Sequence, residues 1–245
     1  MTKMSNDQLY EGIWTEYYDN VYPVKGYARN AKLVLSLLKK FNPKAKKLLE
    51  LACGTGNYTF YFAKKYKVKA TDTSKDMLTC AKKKCKKSKF AVLPMEKLNE
   101  KSSYDVVACM WESFRYLKSY KSVKDVLSRI HRALKPGGLF VVDFHHFPPS
   151  KYFMKDGPWV RLGKGIVRDT QQYTTKGDFD VRKSILLVVE GDKTKTVNLK
   201  RSPLLRISEK QMKSFLKQAG FDVVHFQRWF HKGVKNSMLF VAKKV

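Results

Sequence analysis

The sequence has few cysteines and no long apolar run. Its four cysteines include no C-x-x-C pair, and none neighbours a histidine, so we predict neither a disulfide framework nor a metal site. No run approaches the roughly 18 apolar residues of a transmembrane helix. The first residues carry acids rather than the apolar core of a signal peptide. We therefore expect buried, reduced thiols, no membrane partner and a cytoplasmic location.

Acidic residues are also scarce. The 245 residues contain 21 acids and 50 lysines and arginines, which gives a net charge of +29. Residues 25–89 alone carry a net charge of +16, with a dense lysine run at 82–89. Such a charge favours a nucleic acid or another polyanion as partner. However, lysines outnumber arginines 40 to 10, whereas base and bidentate phosphate contacts favour arginine. We favour a solvated lysine surface and keep polyanion binding as the alternative.

The glycine pattern that follows the first predicted strand is incomplete for a dinucleotide. The apolar run Leu48–Leu51 leads into Gly54-Thr55-Gly56, but no third glycine follows at the spacing of G-x-G-x-x-G, and no phosphate loop is present. A second short strand ends in Asp72, 16 residues after Gly56. A carboxylate there can accept hydrogen bonds from both ribose hydroxyls. A nucleoside without a pyrophosphate therefore fits better than a dinucleotide.

These motifs resemble those of the class I S-adenosylmethionine-dependent methyltransferases. Glu50–Gly56 is similar to the first motif of that family, Thr71–Leu78 to its second, and Leu134–Gly138 to a common turn before its fifth strand. The resemblance implies S-adenosylmethionine as cofactor. It also implies an α/β, Rossmann-like, seven-stranded and mostly parallel sheet with helices on both faces.

The resemblance assigns cofactor contacts along the carboxyl ends of the strands. It implies that Gly54, Gly56 and the Ala52 carbonyl seat the methionyl end. It places Asp72 at the ribose and Met95 at the adenine, while Glu50 orients the amino group. The further residues expected around the cofactor are Tyr17, Thr55, Thr73, Met77, Glu96, Met110 and Trp111.

Two features at the fourth strand argue against methylation of a nucleobase. Met110–Ser113 stands where base-modifying relatives carry Asn/Asp-Pro-Pro-Tyr/Phe, and the paired cysteines needed for attack on pyrimidine C5 are missing. We expect a small-molecule acceptor, most simply an amine nitrogen, or an oxygen if the base is strong. The more specific resemblance is to amino-sugar N,N-dimethyltransferases and, more loosely, to glycine N-methyltransferases. The alternative is a methyltransferase acting on RNA or another macromolecule that the lysine-rich face recruits.

Methyl transfer requires a group that removes a proton from the acceptor. The candidates, in order, are His146, His145, Tyr18 and Glu112. Strand alternation turns only one of the two histidines inward. Glu112 could instead bind a cationic amine, or it could satisfy backbone N–H groups at a helix start.

The resemblance implies one methyltransferase domain over residues 1–245, and we expect a monomer or a homodimer. An aromatic N-terminal cap is expected at residues 1–24, and an antiparallel insertion over residues 150–206 is expected to cover the site. Five strands are predicted at residues 47–52, 68–71, 90–93, 104–110 and 139–144, and helices at 28–40, 57–65, 74–86 and 123–134. The insertion is predicted to contain strands at 166–173, 181–189 and 195–205, before a helix at 209–219 and a hairpin of 221–226 with 237–242.

Overall fold

The structure is a computed structural model that describes residues 13–146, 153–228, 230–231 and 236–245. Helices are numbered as follows: α1 (Ile13–Val21), α2 (Ala28–Phe41), α3 (Asn57–Phe62), α4 (Lys75–Lys84), α5 (Tyr120–Ala133) and α6 (Glu209–Gln218). The strands are β1 (Lys47–Leu51), β2 (Lys67–Asp72), β3 (Lys89–Val92), β4 (Tyr104–Cys109), β5 (Leu134–His145), β6 (Phe153–Asp156), β7 (Val160–Leu162), β8 (Gly165–Lys176), β9 (Phe179–Glu190), β10 (Lys193–Lys200), β11 (Leu204–Leu205), β12 (Phe221–Arg228) and β13 (Ser237–Lys244).

A seven-stranded sheet has the order β12-β13-β5-β4-β1-β2-β3. The five strands from β5 to β3 are parallel to one another, and β13 pairs antiparallel with both β5 and β12. The prediction of a Rossmann-like, mostly parallel, seven-stranded sheet is confirmed. Residues 24–146 and the described residues from 207 onwards make up this unit of the chain.

The local sequence explains why these elements form. The β1 residues Leu48, Leu49 and Leu51 have no exposed surface, as expected of a central parallel strand covered on both faces. Serine side chains cap three helices: Ser74 accepts from the Met77 N–H, Ser119 from the Ser122 N–H and Ser208 from the Gln211 N–H. These hydroxyls satisfy donors that the first helical turn leaves open.

The strand order reverses between β1 and β4. From β1 the chain moves outwards to β2 and β3, then returns to the other side of β1 to form β4 and β5. The helices that follow β1 and β4 therefore diverge and leave a crevice at the carboxyl ends of these strands, where open α/β sheets bind ligands. This topology places the candidate site at the carboxyl edge of the sheet.

The predicted turn at Lys135–Gly138 lies inside a strand. The strand β5 already begins at Leu134, which pairs with Tyr104, and the register shifts before Leu139 pairs with Val106. Gly137 has a φ of +69°, which a glycine adopts without strain. The glycines therefore form an irregularity within the strand rather than end it.

Residues 13–23 and 153–206 make up a second unit. Its antiparallel sheet has the order β10-β9-β8-β6, with β7 on β8 and β11 on β9. Two-residue loops join β8 to β9 and β9 to β10, and their glycines, Gly177 and Gly191, have φ of +53° and +61°, as tight hairpins require. An antiparallel sheet after the fifth strand is thus confirmed. Coverage of the site by this insertion remains a prediction.

The insertion contains more strands than its sequence pattern predicted. The strands β6 and β7 were not predicted, and the single strand expected at residues 195–205 is divided into β10 and β11. The insertion also buries two ion pairs: Asp169 Oδ2 lies 2.9 Å from Arg201, and Asp180 Oδ1 lies 2.7 Å from Arg206. Within the described ranges, no helix is long and apolar enough to cross a membrane.

Candidate active site at the carboxyl ends of β1, β2, β4 and β5

The turn from β1 to α3 is built from residues with left-handed backbone conformations. Ala52, Gly54 and Gly56 have φ of +52°, +55° and +81°. A Cβ added to Gly56 would lie 2.9 Å from the Cβ of Ala81 in α4, so this glycine allows close helix packing. A Cβ added to Gly54 would meet nothing within 4 Å. The turn from β1 to α3 therefore has open space beside the Gly54 backbone, which a ligand can approach.

Asp72 connects the end of β2 to this turn. Its Oδ2 accepts the Gly54 N–H at 2.8 Å, and its Oδ1 accepts the Ser74 N–H at 2.9 Å. Burial raises the pKa of Asp72, and the backbone N–H groups of Ser74 and Gly54 oppose that rise. These bonds hold the carboxylate at the crevice, and each oxygen keeps a second lone pair for a hydroxyl donor.

Glu50 is a buried acid directly below the turn. Its side chain is 2% exposed, and Thr59 Oγ1 lies 2.6 Å from its Oε2. Burial raises the pKa of Glu50 to about 8, although the Thr59 hydrogen bond opposes the shift. The Thr55 hydroxyl is buried as well and has no hydrogen-bond partner among the described residues. A ligand cation beside Glu50 would stabilise its charged form.

Six other predicted cofactor residues lie at the same edge. Thr73, which is exposed, follows Asp72, and Met77 is buried in the first turn of α4. Met95, which is 9% exposed, and the exposed Glu96 lie in a short 3-10 turn after β3. The remaining two, Met110 and Trp111, follow β4 and are described with that strand.

The backbone after β4 is strained and is fixed by a buried aspartate. Met110 is buried, and Trp111 and Glu112 have φ of +59° and +62°, a conformation that costs a residue other than glycine roughly 1–3 kcal/mol. Asp143 on β5 accepts the Trp111 N–H at 2.7 Å through Oδ1. Its main-chain oxygen accepts the Glu112 N–H at 3.3 Å. This pairing fixes the direction in which the Glu112 side chain leaves the strand.

Asp143 also belongs to a buried polar network that the sequence did not reveal. Its Oδ2 lies 2.6 Å from His231 Nε2, and His231 Nδ1 lies 2.7 Å from Asn30 Nδ2. The carboxylate can only accept and the amide nitrogen can only donate, so we assign the proton of a neutral His231 to Nε2. The Trp111 ring meets the His231 ring edge-on at 4.7 Å between centroids. The network thereby supports Trp111 from two sides.

Of Asp143, His231 and Asn30, only Asp143 could have been recognised from the sequence. Asp143 is a lone acid inside the apolar run Leu139–Phe144, and a charged residue in a buried strand needs a partner. Asn30 on α2 and His231 after β12 are far apart along the chain. The residues that flank each of them in the sequence do not indicate a buried polar contact. Their meeting is a result of tertiary structure alone.

Glu112 joins two further side chains at the ends of β4 and β5. Its Oε1 lies 2.6 Å from His145 Nδ1 and 2.8 Å from Arg115 Nη1. Arg115 is 1% exposed and His145 is 7% exposed. The carboxylate lies against the imidazole in a close charge contact rather than in an aligned hydrogen bond. The arrangement can orient an imidazole base.

The remaining catalytic candidates are placed differently. His146 has its N–H bonded to the Asn236 carbonyl at 3.1 Å, and of the two neighbouring histidines it is the ring of His145 that meets Glu112. Tyr17 and Tyr18 belong to the second unit, where the Tyr17 hydroxyl accepts the Asp169 N–H at 3.0 Å. The Tyr18 ring lies 5.0 Å from that of Tyr22. The cofactor role of Tyr17 and the catalytic roles of Tyr18 and His146 stay predictions.

Comparison with known proteins identifies the class. Residues 48–138 match the family model described as a methyltransferase domain. The chain is 31% identical over 155 residues to the dTDP-3-amino-3,4,6-trideoxy-alpha-D-glucopyranose N,N-dimethyltransferase of Streptomyces venezuelae, a match that covers 62% of this chain and 64% of that relative. The match thus spans less than two thirds of the relative's length.

Solved structures extend the likeness to the whole fold. The sugar N-methyltransferase KedS8 of Streptoalloteichus superposes with a TM-score of 0.83 at 19% identity, covering 100% of this chain and 97% of KedS8. DesVI of Streptomyces venezuelae superposes with a TM-score of 0.81 at 22% identity, with both chains fully covered. Residues 48–138 thus match a methyltransferase domain, and the resemblance to class I S-adenosylmethionine-dependent methyltransferases is confirmed. That family uses S-adenosylmethionine, the cofactor expected from the sequence.

Proposed function

We propose that this protein transfers a methyl group from S-adenosylmethionine to the nitrogen of a small-molecule amine. The observation that carries the proposal is the contact of Glu112 Oε1 with His145 Nδ1 at 2.6 Å. Glu112 follows β4 and His145 ends β5; in the sheet, β4 lies next to β1, which carries Glu50, and β1 lies next to β2, which carries Asp72. A carboxylate-oriented imidazole beside a nucleoside-binding edge suits proton removal from an acceptor.

The residues of the β1–β2 edge fit the cofactor. Open space at Gly54 would admit the methionyl end, Asp72 would accept hydrogen bonds from the ribose hydroxyls, and Glu50 would balance the charge of the amino group. Met95, after β3, would border the adenine. S-adenosylmethionine, when bound, supplies an electrophilic methyl carbon on a sulfonium leaving group.

The protein's own contribution is to orient the acceptor and to accept its proton. His145, which lies beside Glu112, is the imidazole that would take a proton from an ammonium or amine acceptor. The buried Arg115 contacts the same Glu112 oxygen and so helps to fix the position of the carboxylate. The Asp143–His231–Asn30 network maintains the backbone from which Glu112 projects.

The names of related proteins support an amino sugar as the acceptor class. The Streptomyces venezuelae relative is named as an N,N-dimethyltransferase of an amino sugar, and so is a Streptomyces fradiae relative that is 31% identical over 147 residues. A primary or secondary amine on a six-membered sugar is therefore the acceptor to test first. Oxygen acceptors are the next class, because they need a stronger base.

The test follows methyl-labelled S-adenosylmethionine into a panel of amino sugars and simple amines, with the corresponding hydroxyl sugars as a second panel. We expect label in the amines. We expect His145→Gln to lower kcat by about 10²–10⁴-fold, the usual contribution of a general base, while cofactor affinity changes little. His225→Gln, on β12, is the matched control and should retain full turnover.

Two results would contradict the proposal. One is the absence of label in every amine although the cofactor binds. The other is a His145→Gln variant as active as the wild type, with an unchanged pH dependence of kcat.

A further inference from the structure

The parallel sheet brings separate lysine-rich segments to one edge. The strands β1, β2 and β3 all begin at the amino edge of the sheet, where Lys47 pairs with Lys67, and Lys69 with Lys89. Each intervening helix runs back against the strands, so the ends of α3 and α4 return to that same edge. Sequence segments about 20 residues apart thus become neighbours.

Eleven exposed lysines lie at this edge, which we call the lysine edge: Lys44, Lys46, Lys47, Lys64, Lys65, Lys67, Lys82, Lys83, Lys86, Lys87 and Lys89. The dipole of α4 accounts for lysines in its last turn. It does not account for those before and at the starts of the strands, such as Lys47, Lys67 and Lys89. The helix dipole therefore does not explain why so many lysines lie at this edge.

Acids are segregated from this edge. Between residues 44 and 89 the acids are Glu50, Asp72 and Asp76, and all three lie towards the carboxyl ends of the strands. Two acids near the lysine edge are already paired, Glu100 with Lys69 and Asp105 with Lys135. Within the part of the chain that the structure describes, no member of the lysine edge forms an ion pair with an acid. Asp105 accepts the backbone N–H groups of Lys46 and Lys47 at 2.8 Å, yet the lysine edge keeps a large excess of positive charge.

The composition of the lysine edge favours a nucleic acid over a lipid surface. The large apolar side chains that are exposed in the described ranges are Val92, Trp159, Ile185 and Val245, and none belongs to the lysine edge. A membrane-binding surface would add apolar or aromatic residues that insert between lipids. The scarcity of arginine argues against base readout, but lysine still binds phosphate as a point charge, which is sufficient for backbone contacts that carry no sequence information.

We propose that the lysine edge is a docking surface for the phosphodiester backbone of a nucleic acid. It lies at the edge of the sheet opposite to the candidate cofactor residues. The nucleic acid is thus a binding partner and not the methyl acceptor. This interaction is independent of the proposed methyl transfer to a small amine.

The test measures fluorescence anisotropy of labelled duplex DNA, duplex RNA and single-stranded RNA against the full chain over a range of salt concentrations. The edge variant replaces Lys47, Lys67, Lys82, Lys86 and Lys89 with Gln. The matched control makes the same number of exposed Lys→Gln changes elsewhere, at Lys164, Lys193, Lys195, Lys210 and Lys217. Both variants have the same net charge, so only the position of the lost lysines differs.

We expect the wild type to bind at low salt with a steep salt dependence, and the edge variant to lose at least about tenfold more affinity than the control. The slope of the logarithm of the binding constant against the logarithm of the salt concentration should fall in magnitude by about 0.9 for each duplex DNA phosphate contact removed. Cofactor affinity of the edge variant should remain that of the wild type, which shows that it is folded. The three nucleic acids identify which backbone geometry is preferred.

Equal losses in the two variants would overturn the proposal, because binding would then depend on net charge alone. Absence of binding at low salt would overturn it as well. Binding to anionic phosphatidylserine vesicles but to none of the nucleic acids would assign the lysine edge to a membrane instead. None of these outcomes affects the methyl-transfer assay.

Discussion

Three carboxyl groups lie on β1, β2 and β5 at the candidate site, and each has different partners. Glu50 faces a single hydroxyl, Asp72 accepts two backbone N–H groups, and Asp143 bridges a backbone N–H and His231. Burial favours the neutral acid, while N–H donors favour the carboxylate. Glu50, whose pKa burial raises to about 8, is therefore expected to change its charge near neutral pH.

Glu50 is expected to make stability and cofactor binding depend on pH. Its pKa is raised from an ordinary 4.5 to about 8 in the folded protein, so the folded state holds a proton that the unfolded chain releases above pH 4.5. Its stabilising contribution is fully present below pH 4.5 and is lost as the pH rises through 8. Glu50→Gln should remove this dependence of the free energy of unfolding on pH, whose slope is at most about 1.4 kcal/mol per pH unit.

The measurement is denaturant unfolding between pH 5 and pH 9, together with calorimetry of S-adenosylmethionine binding in two buffers. The wild type should bind the cationic cofactor more tightly as pH rises and should release a proton, whereas Glu50→Gln should do neither. Thr79→Val, on the exposed side of α4, is the control. Identical pH profiles for wild type and Glu50→Gln would remove Glu50 from the site.

Asp72→Ala is expected to weaken S-adenosylmethionine binding strongly. Each charge-assisted hydrogen bond to a ribose hydroxyl contributes about 1.5–3 kcal/mol, so affinity should fall at least tenfold. The variant also loses the acceptor for the Gly54 and Ser74 N–H groups, so its folding should be checked by thermal unfolding. Calorimetry is the readout, with the exposed Asp76→Ala as control. Unchanged affinity in a folded Asp72→Ala protein would show that the ribose lies elsewhere.

At the scale of elements, the helix α4 limits the size of the side chains that the turn after β1 can hold. The turn between β1 and α3 contains two glycines with similar backbone angles and different surroundings. Gly56 touches α4, and Gly54 touches nothing within 4 Å of an added Cβ. The two glycines therefore serve different purposes, one in packing and one beside open space.

Substitution of the two glycines should separate these purposes. Gly56→Ala places a methyl group 2.9 Å from the Ala81 Cβ and should lower the free energy of unfolding by about 1–3 kcal/mol from overpacking, in addition to backbone strain. Gly54→Ala has the strain without the overlap, so it should cost less stability while weakening cofactor binding. Denaturant unfolding and calorimetry give the two quantities. Equal destabilisation by both substitutions would mean that contact with α4 is unimportant.

The elements were predicted well where local patterns suffice. The apolar strands β1, β2 and β4 and the serine-capped helices α4 and α6 lie within two or three residues of their predicted bounds, because burial of a central strand and capping of a helix depend on adjacent residues. The bounds of β5 and the short strands β6, β7 and β11 were missed. Their pairing depends on partners distant in sequence, which local patterns do not describe.

At the scale of the whole molecule, the proposed cofactor residues Glu50, Gly54 and Asp72 and the insertion belong to different units. Glu50, Gly54 and Asp72 hydrogen-bond only within the seven-stranded unit in the contacts described above. The insertion has its own buried ion pairs, Asp169–Arg201 and Asp180–Arg206. Cofactor binding and acceptor selection can therefore reside in separate parts of the chain.

Replacing residues 153–206 with a short flexible linker is expected to abolish methyl transfer while S-adenosylmethionine binding persists. The cut removes both partners of each buried ion pair, so no charge is left buried alone. Calorimetry, turnover on the native acceptor and the melting transition should be measured together. Full turnover in this variant would assign acceptor selection to the seven-stranded unit. Loss of cofactor binding in a folded variant would mean that the insertion contributes to the cofactor site.

The sequence alone determined the class of fold, the cofactor motif and the charge of this protein, because strand burial, a glycine turn and an acid after the second strand are local or regularly spaced features. Tertiary structure alone decided three things. It selected His145 rather than His146 as the partner of Glu112, it joined Asn30 and His231 to Asp143, and it gathered scattered lysines at one edge. Each depends on residues far apart in the chain meeting through strand order and register, which no local pattern encodes.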